Sequence, residues 1–309
     1  MLNAAENIVR IEGLLSEIKL EKKTFNKKDA TGAVVQMPAI GGTISVKVNQ
    51  ELPNGEVKVL EVPVHMFAAA NKNDGNPNPA YSSIEKIMTT YNSIAAVGED
   101  MADGIRITGG QIQMNEYYSQ NTGKLVSFPR ISASFVNKVA KNDLKPCATF
   151  SSVFVVGEAD YILDKDGCPT DKFRVRGILP QWGGKVDVVD FIAANENVAN
   201  AIQSTWEQGQ TVKGSGRLNF SSETKTVTKE VAFGDPVEES RTFSISELVL
   251  TGGSEPMEGE FAYDAGEIQT ALAERKARLE ESKKNKSTNQ ASKVTPVPAQ
   301  KAGFDNLGF

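Results

Sequence analysis

Residues 195–220 read NENVANAIQSTWEQGQTVKGSGRLNF and join a capped helix to a strand that two glycines interrupt. Apolar side chains recur at the spacing of one helical face (Val198, Ile202, Trp206). The asparagine at the start of this segment is a good N-cap for such a helix, and Gly209 lies just beyond the end of the helix. Glycines inside the next strand are typical of a small barrel that must bend at corners.

The same combination occurs earlier in the chain. A helix is predicted over residues 82–98, with a serine at 82 or 83 as its cap, and the glycine-interrupted strand GIRITGGQIQM follows at 104–114. In each half, three strand-like segments precede the helix and two follow it, so the order β-β-β-α-β-β occurs twice. One helix between the third and fourth of five strands is the order of an OB barrel. The sequence therefore predicts a mainly β fold with two OB-like five-stranded barrels.

Composition divides the chain into three parts. Residues 1–145 form the first predicted OB-like domain and residues 146–256 the second. From residue 257 to 309 the sequence changes to a charged helix, a polar, proline-containing linker and the ending FDNLGF. The linker is too polar to bury enough surface to fold. We therefore expect two barrels, a C-terminal helix and a disordered tail.

The composition argues against an enzyme. The 309 residues contain one histidine, His65, and two cysteines without metal-site or redox spacing. No nucleotide-binding loop, metalloprotease motif or nucleophile elbow is present. We expect no catalytic residue, no metal and no cofactor, and we expect His65 to be a packed or surface residue. Without a signal peptide or a long apolar run, the chain is predicted to be cytoplasmic, with no membrane partner.

Charge is distributed unevenly between the two predicted barrels. Residues 1–145 contain 16 basic and 15 acidic side chains, whereas residues 146–258 contain 10 and 17. A strongly basic surface, which duplex-DNA binders usually have, is absent. Basic residues nevertheless share strand faces and hairpins with aromatic residues, and single-stranded nucleic acid needs cations for phosphates and rings for base stacking.

The candidate nucleic-acid-binding residues lie on predicted strand faces and hairpins of both barrels. They are Lys19, Lys22, Lys23, Phe25, Arg106, Tyr117, Tyr118, Arg130, Lys172, Arg174, Arg176, Trp182, Lys185, Lys213 and Arg217. The alternative is that these cations only solvate the barrels, with the aromatic rings in the core. Strand parity and helix face favour the core for Phe173, Trp206 and Phe220, and of Tyr117 and Tyr118 only one ring is expected to point outward.

Several of these segments resemble phage and mobile-element single-stranded DNA-binding proteins with tandem OB folds. The segments are RVRGILPQWGGKVDVVDF, the helix NENVANAIQSTW and TVKGSGRLNF, with NIVRIEGLLSEI and IRITGGQIQMNEYY as counterparts in the first half. The resemblance extends over about residues 7–250 and is one of layout. It implies coating of single-stranded DNA during replication or recombination, in a bacterial host cytoplasm if the chain is phage-encoded.

The C-terminus resembles the protein-docking tip of the same family. The resemblance implies that replication or recombination proteins dock on Phe304, Asp305, Leu307 and Phe309. The acidic run and the proline of the bacterial tips are absent here.

Two other classes of function stay open from the sequence. A structural or assembly β-protein, such as a virion or secretion component, would also have mixed charge and an all-β body. An enzyme is poorly supported, because no nucleophile–base pair or metal set can be named. DNA versus RNA preference, oligomeric state and site size are likewise open.

Overall fold

The computed structural model describes residues 2–28, 34–52, 54–119, 122–229 and 237–291, with side chains except at 27–28, 222–229, 237–243 and 284–291. Eleven strands are assigned within these residues. They are β1 (Asn7–Lys28), β2 (Val34–Glu51), β3 (Val57–Ala69), β4 (Gly104–Tyr118), β5 (Leu125–Ser132), β6 (Asn137–Val139), β7 (Cys147–Leu163), β8 (Pro169–Pro180), β9 (Val186–Ala193), β10 (Thr211–Lys229) and β11 (Val237–Gly253). The helices are α1 (Pro79–Thr90), α2 (Ile94–Val97), α3 (Glu196–Thr205) and α4 (Ala265–Ala291).

Strands β1 to β5 close into one barrel. β1 pairs with β2 and β2 with β3, β3 runs parallel to β5, and β4 pairs with both β5 and β1. α1 lies between β3 and β4 along the chain. This closed order 1-2-3-5-4 is the OB topology.

Strands β7 to β11 repeat the arrangement. β7 pairs with β8 and β8 with β9, β9 runs parallel to β11, and β10 pairs with both β11 and β7. α3 occupies the position of α1. The predicted fold, mainly β with two OB-like five-stranded barrels and a C-terminal helix, is confirmed.

The two barrels are joined through their first strands. Residues 7–12 of β1 pair antiparallel with residues 147–152 of β7, which makes one eleven-stranded sheet. A single cluster of buried apolar side chains runs through both barrels. Phe173, Trp206 and Phe220 belong to it, as strand parity predicts.

The helix predicted over residues 82–98 is divided in two. It begins earlier, at Pro79, because the Asn78 side chain accepts a hydrogen bond from the backbone N–H of Ala80 and proline suits the first helical turn. It ends at Thr90. The backbone N–H of Asn92 then donates to the Asp103 carboxylate at 2.7 Å, so a hydrogen bond to a side chain beyond α2 holds the interruption.

Close strand contact explains two glycines of the first barrel, Gly13 and Gly110. The register of β1 against β4 shifts opposite Gly110, so the paired glycines of GIRITGGQIQM lie at a β-bulge. A Cβ atom added at Gly13 would lie 2.3 Å from the carbonyl oxygen of Lys47 on β2. Glycine is therefore required there by space.

Helix α4 packs across both barrels. Ile268 and Ala271 are buried with Val155, Ile178 and Val186 of the second barrel. Further along α4, Arg275 forms an ion pair with Glu116 of β4. The thin apolar stripe of this charged helix therefore anchors it at the junction of the barrels.

Candidate nucleic-acid interface

The outer face of the first barrel carries a groove of about 630 Å³ across β3, β4 and β5. We call it the first-barrel groove. Its lining includes His65, Phe67, Gln111, Gln113, Arg130, Ser132 and Phe135. The strand register places these side chains next to each other, because His65 pairs with Ser132 and Gln113 with Arg130.

Arg130 is the principal cation of the first-barrel groove. It donates one hydrogen bond, to the side-chain oxygen of Gln113 at 3.3 Å. Its Nε atom is buried and has no hydrogen-bond partner, and no carboxylate pairs with it in the part of the chain that the structure describes. A buried donor without a partner is costly, so this guanidinium is well placed to bind an anionic ligand.

The lowered pKa of His65 indicates a positive electrostatic potential in the groove. Burial lowers the pKa of its imidazole, and the positive charges of Arg130 and Lys23 lower this pKa further. The ring is therefore neutral near pH 7. A neutral imidazole can donate one hydrogen bond and accept one.

Aromatic rings border the groove. Phe67 is 49% exposed and Phe135 is 56% exposed. The ring of Phe25, on the β1–β2 hairpin, meets Phe67 edge-on with 5.7 Å between centroids. Phe67 lies over Gly41, where an added Cβ would be 3.0 Å from its Cδ2 atom and 3.3 Å from Lys23 Cε. The missing side chain at this glycine leaves room for a ring and a cation side by side.

The β4–β5 hairpin extends the groove face outward. Tyr117 has the strand parity of Gln113, and Phe128 that of Arg130. Their rings meet edge-on with 6.4 Å between centroids, and both are partly exposed. The exposed ring of the Tyr117 and Tyr118 pair is therefore Tyr117, with Phe128 as its neighbour.

The lysines of β1 divide between two faces. Lys19 and Lys23 share the face of Phe25, and each pairs with the glutamate two residues before it. Lys22 points to the other side and pairs with Glu85 of α1 at 2.7 Å. Because exposed ion pairs of this kind contribute little, Lys19 and Lys23 can exchange their partners for phosphates.

Two other residues predicted for the first barrel lie away from the groove. Arg106 makes two hydrogen bonds, at 2.7 and 3.0 Å, to the buried carboxylate of Glu12. These bonds lower the pKa of Glu12, and the pair holds β4 against β1. Tyr118 points to the α4 side, where the Lys283 ammonium lies 5.5 Å from its ring centroid.

The arginines of the second barrel are paired within the sheet. Arg174 and Arg176 both contact Glu158 of β7, at 3.1 and 3.2 Å. Arg176 also contacts Asp190 of β9 at 2.9 Å. These carboxylates neutralise a strand face for which the sequence pattern predicts an uncompensated row of cations.

Two of the predicted second-barrel lysines are paired as well. Lys172 contacts Glu247 of β11 at 2.6 Å, and Lys213 contacts Glu6 at 2.8 Å. Arg217 is half-buried and has no ion-pair partner among the side chains that the structure describes. Two predicted cations of this barrel, Arg217 and Lys185, therefore stand apart from the neutralised set among the described side chains.

Trp182 and Lys185 lie on the turn between β8 and β9. The Trp182 ring is 88% exposed. Neither residue lines the first-barrel groove. Their role in binding stays a prediction from the sequence.

The residues predicted to dock partner proteins, Phe304, Asp305, Leu307 and Phe309, lie outside the described residues. Among the described residues, no group of three His, Cys, Asp or Glu side chains is arranged to hold a metal ion. No described helix combines the length and apolar character needed to span a membrane.

Sequence reasoning missed Phe67, Phe135 and the amide of Gln113. A signal existed for Phe67, because it alternates with buried Val64 and Met66 on β3 and must point outward. Phe135 follows the end of β5, where the alternation of inward and outward side chains along a strand no longer applies. The importance of Gln113 depends on the register of β4 against β5.

Fold and groove together define a tandem OB-fold protein with a basic, aromatic groove on its first barrel. The YorF family model matches residues 6–285, and the chain belongs to this family. A search of the curated proteins finds no match.

Two solved structures of one bacterial protein are similar to this chain. The wild-type single-stranded DNA binding protein from Thermus aquaticus is 12% identical, with a TM-score of 0.45, covering 85% of this chain and 98% of that one. A deletion mutant of the same protein is also 12% identical, with a TM-score of 0.43, covering 83% and 97%.

Proposed function

We propose that this protein binds single-stranded DNA, without catalysis, in the first-barrel groove. The observation that supports this most directly is Arg130, a cation without a carboxylate partner among the described residues and with a buried, unpaired Nε. It lies in the same groove as the half-exposed rings of Phe67 and Phe135.

The proposed binding mode follows from the chemistry of a single strand. Phosphates contact the guanidinium of Arg130 and the ammonium groups of Lys19 and Lys23. Unpaired bases stack on the exposed rings, and each stack contributes about 1–3 kcal/mol with little dependence on sequence. OB folds bind oligonucleotides with the face of strands 2 and 3 and with the loops that join strands 1 and 2 and strands 4 and 5. Phe67 of β3 and the β1–β2 and β4–β5 hairpins belong to these surfaces, and Arg130 lies beside them on β5.

We expect a duplex to bind this groove weakly. Its bases are already stacked on one another, so the rings have nothing to stack on. The net charge of −5 repels a rod of dense negative charge. Preference for single strands therefore comes from stacking.

In the cell, we propose that the protein coats exposed single-stranded DNA during replication or recombination, in the bacterial cytoplasm and in a phage or mobile-element context. Its C-terminal residues Phe304, Asp305, Leu307 and Phe309 would recruit a partner protein. An aromatic tip beyond a polar segment offers a short apolar anchor to such a partner.

Fluorescence anisotropy tests the proposal. The wild-type chain is titrated into labelled dT and dC oligonucleotides and a duplex of about 20 nucleotides or base pairs, at about 50 and 200 mM salt. We expect binding to both single strands, weaker binding to the duplex, and a salt slope of about −0.7 per neutralised phosphate.

A matched pair of variants locates the site. Arg130→Gln is expected to weaken binding and make the salt slope shallower by about one contact. Arg10→Gln removes the same charge from an exposed position of β1 outside the groove. This control variant is expected to change neither the affinity nor the salt slope. Equal affinity for duplex and single strand, or no binding at about 50 mM salt, would contradict the proposal.

A further inference from the structure

The two barrels present equivalent faces that can be compared position by position. Because β3 pairs with β5 as β9 pairs with β11, the strand registers make Ile192 the counterpart of His65 and Glu247 the counterpart of Arg130. The pairing of Asn219 with Glu247 matches that of Gln113 with Arg130. The second barrel therefore has a built-in counterpart of the first-barrel groove.

Charge is reversed at the centre of this counterpart. In the first barrel, a guanidinium donates to an amide oxygen, from Arg130 to Gln113 at 3.3 Å. In the second barrel, the amide of Asn219 donates to the Glu247 carboxylate at 2.8 Å. The carboxylate of Glu247 thus occupies the position at which the first barrel has Arg130, the side chain proposed to bind a phosphate.

Glu247 also neutralises Lys172, a cation of the same face of the second barrel. Its other carboxylate oxygen accepts from Lys172 at 2.6 Å. Burial raises the pKa of Glu247, but the hydrogen bonds from Lys172 and Asn219 and the charge of Lys172 together lower it further than burial raises it. The carboxylate is therefore charged near pH 7. A strand entering this face would meet a fixed negative charge, a lysine already paired, and the half-buried guanidinium of Arg217.

The second face is also narrowed by the neighbouring barrel. Its cavity, of about 390 Å³, is lined partly by Gln50, Leu52, Lys58 and Leu60 of the first barrel. The first-barrel groove is lined by residues of its own barrel alone. Less room is therefore left over the second face.

We propose that only the first barrel binds the single strand and that Glu247 keeps the strand off the second. This inference rests on the proposed function and assigns it to one barrel. The footprint is then that of one OB fold, about 4–16 nucleotides. Lys172 is held by Glu247 of β11, and Arg217 lines the cavity between the barrels.

Matched charge-removing variants test the inference. Each is titrated with labelled dT of about 12 nucleotides, within the site size of one OB fold. Arg130→Gln is expected to lose about tenfold in affinity, as for one charge-assisted contact. Lys172→Gln and Arg217→Gln are expected to lose less than about twofold, the size of a surface-charge effect. Far-ultraviolet circular dichroism and melting temperature check that each variant is folded.

A double variant that should regain affinity provides a second test of the inference. Adding Glu247→Gln to Arg130→Gln removes the negative charge, frees Lys172, and keeps an acceptor for Asn219. We expect this double variant to recover about two- to fivefold of the lost affinity.

Three results would overturn the inference, and one of them also removes the proposed function. Losses for Lys172→Gln or Arg217→Gln as large as that for Arg130→Gln would show that both barrels bind, as would two short oligonucleotides per wild-type chain in native mass spectrometry. Either result leaves single-strand binding intact. A wild-type chain that binds no oligonucleotide removes the proposed function itself.

Discussion

Replacing Phe67 by alanine isolates the stacking contribution of the first-barrel groove. The ring is 49% exposed, lies over Gly41 and meets Phe25 edge-on, so one part faces solvent while the rest is held in place. A ring positioned in this way is available to a base without rearrangement.

The size of the effect follows from one lost base stack. At about 1–3 kcal/mol per stack, Phe67→Ala should weaken binding of a dT oligonucleotide by about 5- to 150-fold. The salt slope should not change, because no phosphate contact is removed. Folding should be weakened only modestly, by about 1 kcal/mol, because an aromatic pair is lost from a half-exposed position.

Trp182→Ala is the matched comparison. This ring is 88% exposed and lies outside the groove, although the sequence pattern predicts that it stacks on bases. Anisotropy titrations at about 50 and 200 mM salt, with melting curves for both variants, separate binding from stability and measure the salt slope. A loss at Trp182 that exceeds the loss at Phe67, with both proteins folded, would refute the groove as the binding site.

Three further predictions concern packing and titration. Gly13→Ala should destabilise the fold by about 1–3 kcal/mol, since its Cβ would lie 2.3 Å from a carbonyl oxygen of β2. Affinity for single strands should rise between about pH 7.5 and 5.5, because bound phosphates favour the protonated form of His65, whose pKa is lowered in the free protein. Asp187 lies on β9, and its carboxylate accepts a hydrogen bond from the backbone N–H of Met114 at 3.1 Å, a role that an amide oxygen can keep. Asp187→Asn should raise the melting temperature at neutral pH, because burial raises the pKa of this carboxyl and its charged form is penalised.

Each of these has its own control. Gly109→Ala introduces a Cβ with no atom within 4 Å and should leave stability nearly unchanged. His65→Gln should abolish the rise in affinity at low pH, and an unchanged rise would assign it to another group. For Asp187, protonation is favoured by folding, so the advantage of Asn must shrink as pH falls through the raised pKa. A gain that persists in acid would contradict burial as its cause.

The fold could be predicted from the sequence because its signals are local. Alternating strands, a capped helix such as 195–206 and paired glycines in β4 each report their own conformation, and their order twice matches one topology. The junction of β1 with β7 has no such signal, since the strands pair over residues 7–12 and 147–152. The helix interruption at Asn92 was missed for the same reason: its partner Asp103 is distant in sequence.

The binding surface could be predicted only in part. Parity correctly placed Arg174 and Arg176 together on one strand face, but their neutralisation by Glu158 and Asp190 depends on the registers of neighbouring strands. Because composition cannot distinguish a free guanidinium from a paired one, it could not single out Arg130.

Photocrosslinking tests the central claim most directly. A dT oligonucleotide carrying 5-iodouracil is irradiated with the wild-type chain, and crosslinked peptides are identified by mass spectrometry. The account predicts crosslinks at aromatic residues of the first barrel, chiefly Phe67, Phe135 and Tyr117. Crosslinks confined to Trp182 or to other second-barrel residues, or none under conditions of saturating binding, would contradict it.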